Sequence, residues 1–156
     1  MNLINKPVIR IIDELSLVGF RVVCTGERYA LEIPQASKRL ADRLHEIKNV
    51  INKDLQYGAF MVDAKTVEDD GYWVMVEVES FENLPEDMDR LVIPSQKYAA
   101  AKYQGTNKGI FNAYEELHKW IDGQGHRRLV DRWHVEIFES WMNPDNLLVE
   151  LLDTIE

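Results

Sequence analysis

At 156 residues, 46% hydrophobic and 29% charged, the chain is long enough for one well-buried domain and short for two, and no apolar run approaches the roughly 20 residues that span a bilayer. A formal net charge of -9 argues against a nucleic-acid partner, whose footprint would be a basic face. The lone Cys24 excludes an internal disulfide and, with an N-terminus that lacks signal-peptide character, makes a cytoplasmic location the expectation.

In chain order, residues 8–24 read as one long extended segment in which Gly19 marks a bulge or a bend. From Pro34 to about Asn49 the period changes, with Leu40, Leu44 and Ile47 at i, i+4, i+7, which predicts a helix that takes Pro34 in its first turn. Residues 57–63 and 72–78, dense in aromatic and β-branched side chains, are two strands, and Asp69-Asp70-Gly71 is the turn before the second. Residues 81–91 carry four acids and Pro85 and read as a loop. A second long extended segment, 91–105, leads to a second helix over 108–122, where Ile110, Tyr114, Leu117 and Ile121 form the stripe, Asn107 is the N-cap and Gly123 the stop. Residues 133–140 alternate Trp133, Val135, Ile137 against His134, Glu136, Phe138, the period of a strand with two different faces. The Asn143-Pro144-Asp145 turn then hands over to a final strand, 146–154.

The order strand, helix, strand, strand occurs twice, and the helices share a local pattern, RLADRLHEIKN at 39–49 and NAYEELHKWID at 112–122. The expectation is an α+β fold of duplicated βαββ halves forming antiparallel sheet, with one helix per half. The whole of 1–156 is one domain with pseudo-repeats at about 8–80 and 91–154. Neither half alone buries both faces of its sheet, so a seam between the halves, with a ligand cleft in it, is expected.

Glu136 is the residue on which this seam bears. In water it would be an ordinary strand acid. Turned toward a second layer of protein, it is a carboxylate in an aromatic cavity, which takes up a proton or awaits a cation. Alternation puts His134 and Phe138 on its face. Aligning the halves sets Phe60 against Glu136 and Glu77 against Glu150, so Gly58, Val62, Trp73 and Met75 join the candidate lining. Trp73 and Trp141 are the best aromatic walls, Met61 and Met75 an adaptable one, though each serves equally well as plain core. Trp120 reads as packing. The four histidines lack metal-ligand spacing, no phosphate or dinucleotide loop is present, and Cys24 lies in an apolar strand, so neither metal, cofactor nor thiol chemistry is expected.

LPEDMDRLVIPSQKYAAAKYQG at 84–105, FNAYEELHKWI at 111–121, VEIFESW at 135–141 and LLVELLDTI at 147–155 together resemble the GyrI-like, or effector-binding, domain family. Its members occur fused to bacterial transcription activators and as stand-alone proteins. The resemblance implies a duplicated βαββ fold that holds lipophilic, often cationic, small molecules in an aromatic cleft with a Glu, which falls on Glu136, while a second acid falls on Glu150. Where the family often has a Tyr two residues after the Glu, this chain has Phe138, which favours binding over catalysis. Some members hydrolyse reactive small molecules; here that would use Glu136 as general acid or base, with Tyr57 or Tyr103 as partner. A protein-interaction module that inhibits another enzyme through the acidic surface is the remaining alternative. No helix-turn-helix pattern precedes the domain, so a DNA-binding arm is expected on another polypeptide if anywhere.

Overall fold

The computed structural model describes residues 2–156. Eight strands form a single antiparallel sheet: β1 (Val8–Ile12), β2 (Leu15–Val22), β3 (Gln56–Met61), β4 (Tyr72–Glu77), β5 (Asp89–Ile93), β6 (Gln96–Gly105), β7 (Trp133–Ser140) and β8 (Leu147–Thr154), in the order β1-β6-β8-β7-β3-β4-β2-β5. Helix α1 (Tyr29–Asp42) joins β2 to β3 and α2 (Ile110–Gly123) joins β6 to β7. The fold is thus α+β with two βαββ units, β2-α1-β3-β4 and β6-α2-β7-β8, meeting where β3 pairs with β7. The two short strands exchange sides: β1 pairs with β6 of the second unit and β5 with β2 of the first.

Several boundaries differ from the sequence reading. The extended segments 8–24 and 91–105 each split into two strands, at Asp13-Glu14 and at Pro94-Ser95, and Gly19 lies in regular pairing with Met75 and Asp89. Its role is close approach of two backbones, since a Cβ there would lie 2.1 Å from the Val74 carbonyl oxygen. Helix α1 begins five residues before Pro34, which sits inside it. The apolar stripe that anchors it runs Tyr29, Ile33, Ala36, Leu40 at i, i+4, i+7, i+11, so packing selects a helix start upstream of the proline. Thr106, not Asn107, caps the second helical segment, its side chain accepting from the Gly109 N–H, and the left-handed stop is Gly125 (φ +77), not Gly123.

Both helices cover the same face of the sheet. One pairing row crosses it as Ala101, Leu151, Glu136, Gly58, Val74, Phe20. Ala101 and Leu151 pack under α2 with Leu117 and Ile121, and Val74 and Phe20 pack under α1 with Ala36 and Leu40. Glu136 and Gly58 occupy the middle of the row, between the two helix-covered ends. The opposite face has no helix, yet Leu17, Ala59, Met75, Tyr98, Val135 and Leu152 on it are completely buried. Leu15, Leu17 and Ile93 from one end of the sheet share a cluster there with Tyr98, Ala100 and Leu152 from the other. The sheet therefore curls until its own ends meet, which is how this face escapes water. Among the described residues, no helix is long and apolar enough to cross a membrane.

Candidate functional site

The gap between the helices holds two adjacent cavities. The larger, about 530 Å³, is bounded by Tyr29, Ala30 and Ile33 of α1, Ile110, Phe111 and Tyr114 of α2, and by Phe60, Tyr72, Glu136 and Phe138 on the sheet. The smaller, about 270 Å³, continues along α1 through Ser37 and Lys38 to Trp141, Met142 and Leu147. Ile33, Pro34, Tyr72, Asn107 and Phe138 border both, so the two are neighbouring lobes of one cleft. Volumes of this order suit drug-sized ligands.

Glu136 lies at the floor of the larger lobe and is 6% exposed. Each carboxylate oxygen accepts a tyrosine hydroxyl: Oε1 from Tyr72 at 2.5 Å and Oε2 from Tyr114 at 2.6 Å. Tyr72 comes from β4, two strands away from β7, and reaches Glu136 across Gly58. A Cβ at Gly58 would stand 1.8 Å from the Tyr72 hydroxyl oxygen, so the glycine is what leaves the path open. Burial pushes the Glu136 carboxyl above its usual range, and the hydrogen bonds from Tyr114 and Tyr72, together with His134, offset this only in part. Burial, then the Glu136 charge and hydrogen bond, push both tyrosine hydroxyls well up, so they remain donors. Phe60 ties the group together. Its ring stacks on Tyr72 and on His134, with centroids at 6.0 and 5.5 Å, and meets Tyr114 edge-on at 6.4 Å.

A second carboxylate supports this floor from behind. Asp153 on β8 is fully buried, with His134 Nδ1 at 3.1 Å, His118 Nε2 of α2 at 2.6 Å and Arg128 Nε at 3.2 Å. The other ring nitrogen of His134 faces the Leu129 carbonyl at 3.2 Å. Burial pushes the Asp153 carboxyl up, but His118, His134 and Arg128 outweigh it and hold the group well below the ordinary carboxylate range. His118 lies one turn from Tyr114 on α2, so the same cluster fixes the helix that supplies half of Glu136's hydrogen bonds.

The nominated residues divide between the two faces of the sheet. Glu136, Phe138 and Phe60 line the larger lobe, Phe138 also borders the smaller one with Trp141, and His134 is buried beneath Phe60. The register corrects the expected pairing: Glu136 faces Gly58, and Phe60 faces His134, two residues on. Trp73, Met75, Glu77 and Glu150 do not join them. They lie on the helix-free face, where Trp73 packs edge-to-face on Trp133 at 5.0 Å, Met75 is core, and Glu150 pairs with Arg10. Tyr57 borders the smaller lobe, but its hydroxyl donates to Glu77 at 3.2 Å. The Tyr103 hydroxyl donates to the Thr106 carbonyl. Neither is within reach of Glu136, and its tyrosine partners are Tyr72 and Tyr114. A signal for both was present: Tyr114 belongs to the apolar stripe of its helix, which must face the sheet, and Tyr72 has the opposite parity to Trp73. Only the register of β4, β3 and β7 converts those parities into one contact.

The sequence matches the GyrI-like small molecule binding domain over residues 5–152. Three solved structures show the same fold at low identity. SAV2435 bound to tetraphenylphosphonium superposes with a TM-score of 0.70 at 12% identity, covering 97% of this chain and 94% of that one. EcmrR in a complex with DNA gives 0.68 at 16%, covering 97% of this chain and 57% of that one. A hydrolase from Listeria innocua gives 0.58 at 12%, covering 97% and 92%. Among curated proteins none matches the sequence.

Proposed function

The chain belongs to the GyrI-like small-molecule-binding family, and from that premise we propose that it binds lipophilic, often cationic compounds in the cleft between α1 and α2. The observation that carries this reading is Glu136: a buried carboxylate at the floor of an aromatic cavity, held by two phenol hydroxyls and by no cationic side chain within the cavity. A buried carboxylate without a counter-ion is costly. A ligand cation supplies the counter-charge, and Phe60, Tyr72, Tyr114 and Phe138 offer ring surface, each cation–π contact contributing on the order of 0.5–2 kcal/mol. A delocalised cation suits the site best, because it has little hydration to lose. That a protein of this fold is bound to tetraphenylphosphonium supports the choice of ligand class.

The test compares tetraphenylphosphonium with a neutral triaryl compound such as triphenylmethanol, on the wild type and on Glu136→Gln. The substitution keeps the shape and one acceptor oxygen, turns an NH2 donor toward the other tyrosine, whose hydroxyl must then accept, and removes the charge. Cation affinity should fall about tenfold or more, while the neutral compound changes little. Equal loss for both would sink the charge-pairing reading.

A second reading has one observation in its favour. A carboxyl raised by burial and flanked by two hydroxyls is also a proton donor and acceptor set, suited to opening a strained electrophile. Chromatography of reactive electrophiles incubated with the protein separates the readings. Product formed faster than in buffer, and lost in Glu136→Gln, establishes turnover; its absence across a broad panel removes it.

A further inference from the structure

The smaller lobe differs in chemistry from the one that holds Glu136. It has no carboxylate among its lining residues, and its only charged side chain is Lys38, whose ammonium is 3.0 Å from Asp42. At its far end stands Trp141, whose indole N–H is buried and donates to nothing. Among the described residues, buried side-chain oxygens of Glu32, Asn49 and Gln96 also lack a hydrogen-bond partner, but Trp141 alone of these four residues borders the cleft. A buried donor without an acceptor is a standing cost, and one at the wall of a cavity is relieved by whatever acceptor enters it. Trp141 is half-buried and Met142 beside it is 66% exposed, so meeting an acceptor in the lobe requires the indole to turn its N–H out of its buried position.

We propose that the two lobes are read together, and that the cleft selects amphipathic ligands carrying a cationic aromatic head for the Glu136 lobe and an apolar arm ending in a hydrogen-bond acceptor for Trp141. This rests on the Glu136 lobe being the cation site and adds the second recognition point. The arm passes the neck formed by Phe138, Ile33 and Pro34. A second cation is disfavoured in the smaller lobe, because Lys38 is at its rim and the free group is a donor. A carbonyl or ether oxygen answers both.

The experiment uses the full chain and three probes: tetraphenylphosphonium, an alkyl triphenylphosphonium whose chain ends in a methyl ketone, and the same cation with the ketone carbonyl replaced by methylene. On the wild type the ketone should bind roughly fivefold tighter than its methylene counterpart, the worth of one modest hydrogen bond. Trp141→Phe should erase that difference, with tetraphenylphosphonium, which has no arm, reporting any general loss of affinity at the cleft. In nitrogen-15 spectra, the indole N–H signal assigned by its loss in Trp141→Phe should move downfield with the ketone and not with the methylene probe. A ketone advantage that is absent, or that survives in Trp141→Phe, overturns the proposal, as does an indole signal that answers both probes alike. A neutral long-chain methyl ketone provides the same indole readout without the cation. It keeps this result separate from Glu136: if Glu136→Gln weakens cations and neutral compounds equally while the neutral ketone still shifts Trp141, the cation reading fails and the acceptor site stands.

Discussion

At the scale of single residues, the site depends on an absence. Gly58 carries no side chain, and the Tyr72 hydroxyl passes through the space a Cβ would fill to reach Glu136. Gly58→Ala should therefore displace the Tyr72 ring, break its hydrogen bond to Glu136 and lower stability by about 2 kcal/mol, the range for a lost bond to a charged group. It should also change the pH dependence of ligand binding, with a definite sign. Glu136 is already raised above its ordinary value of 4.5, and the Tyr72 bond is one of the contacts that lowers it. Cation affinity thus declines as pH falls, beginning above 4.5, and in Gly58→Ala that decline should begin at higher pH. A titration of tetraphenylphosphonium binding against pH checks this; an unchanged profile in a folded variant would show that Tyr72 has no hold on Glu136.

At the scale of elements, α2 contributes its first turns to the cleft and its later turns to the core. Ile110, Phe111 and Tyr114 of α2 line the cavity, whereas Leu117 and Ile121 are buried against the sheet. The helix start therefore governs the site. Thr106 holds it, with its hydroxyl accepting from Gly109 at 3.1 Å and its carbonyl receiving the Tyr103 hydroxyl. Thr106→Ala should cost about 1 kcal/mol in denaturant unfolding, while Thr106→Ser, which keeps the cap, should stay near the wild type. Identical midpoints for both variants would mean the cap contributes nothing. In α1 the proline falls inside the helix, with Ala30, the residue four before it, also on the cavity wall. Pro34 offers no N–H to the Ala30 carbonyl, a break in the helix ladder placed at the ligand side.

At the scale of the whole molecule, Asp153 is where separate parts of the chain converge: β8 bears it, β7 supplies His134, α2 supplies His118, and the 126–132 segment supplies Arg128. Because its folded-state carboxyl is held below the unfolded value of 3.8, it contributes stability at neutral pH that is lost as pH falls through and below that value. Asp153→Asn leaves three cationic or hydrogen-bonding partners without their charge and should cost about 3 kcal/mol near neutrality, as breaking a buried ion cluster does. The gap between variant and wild type should narrow as pH is lowered below 3.8. Urea unfolding at a series of pH values measures it, and a gap independent of pH would contradict the cluster's electrostatic role.

The sequence alone determined the order of extended and helical segments, the duplicated βαββ plan, the stripe of α2 and the parity that sets Glu136, His134 and Phe138 on one side of their strand, because periodicities of 2 and 3.6 are local properties of the chain; the stripe of α1 it misplaced, since that helix ends at Asp42 and leaves Leu44 and Ile47 beyond it. It also determined the family, through patterns that extend over nearly its whole length. Only the tertiary structure decided which residues share a cleft. Parity says that Trp73 and Met75 face away from Tyr72, but not which face lies under the helices. Here both helices lie on one face and the sheet curls to bury the other, so Trp73, Met75, Glu77 and Glu150 end up behind the site. The register of β3 against β7 put Gly58, not Phe60, beside Glu136. That two-residue difference opens the path for a tyrosine from β4, and a contact spanning 64 residues of sequence has no local signature to read.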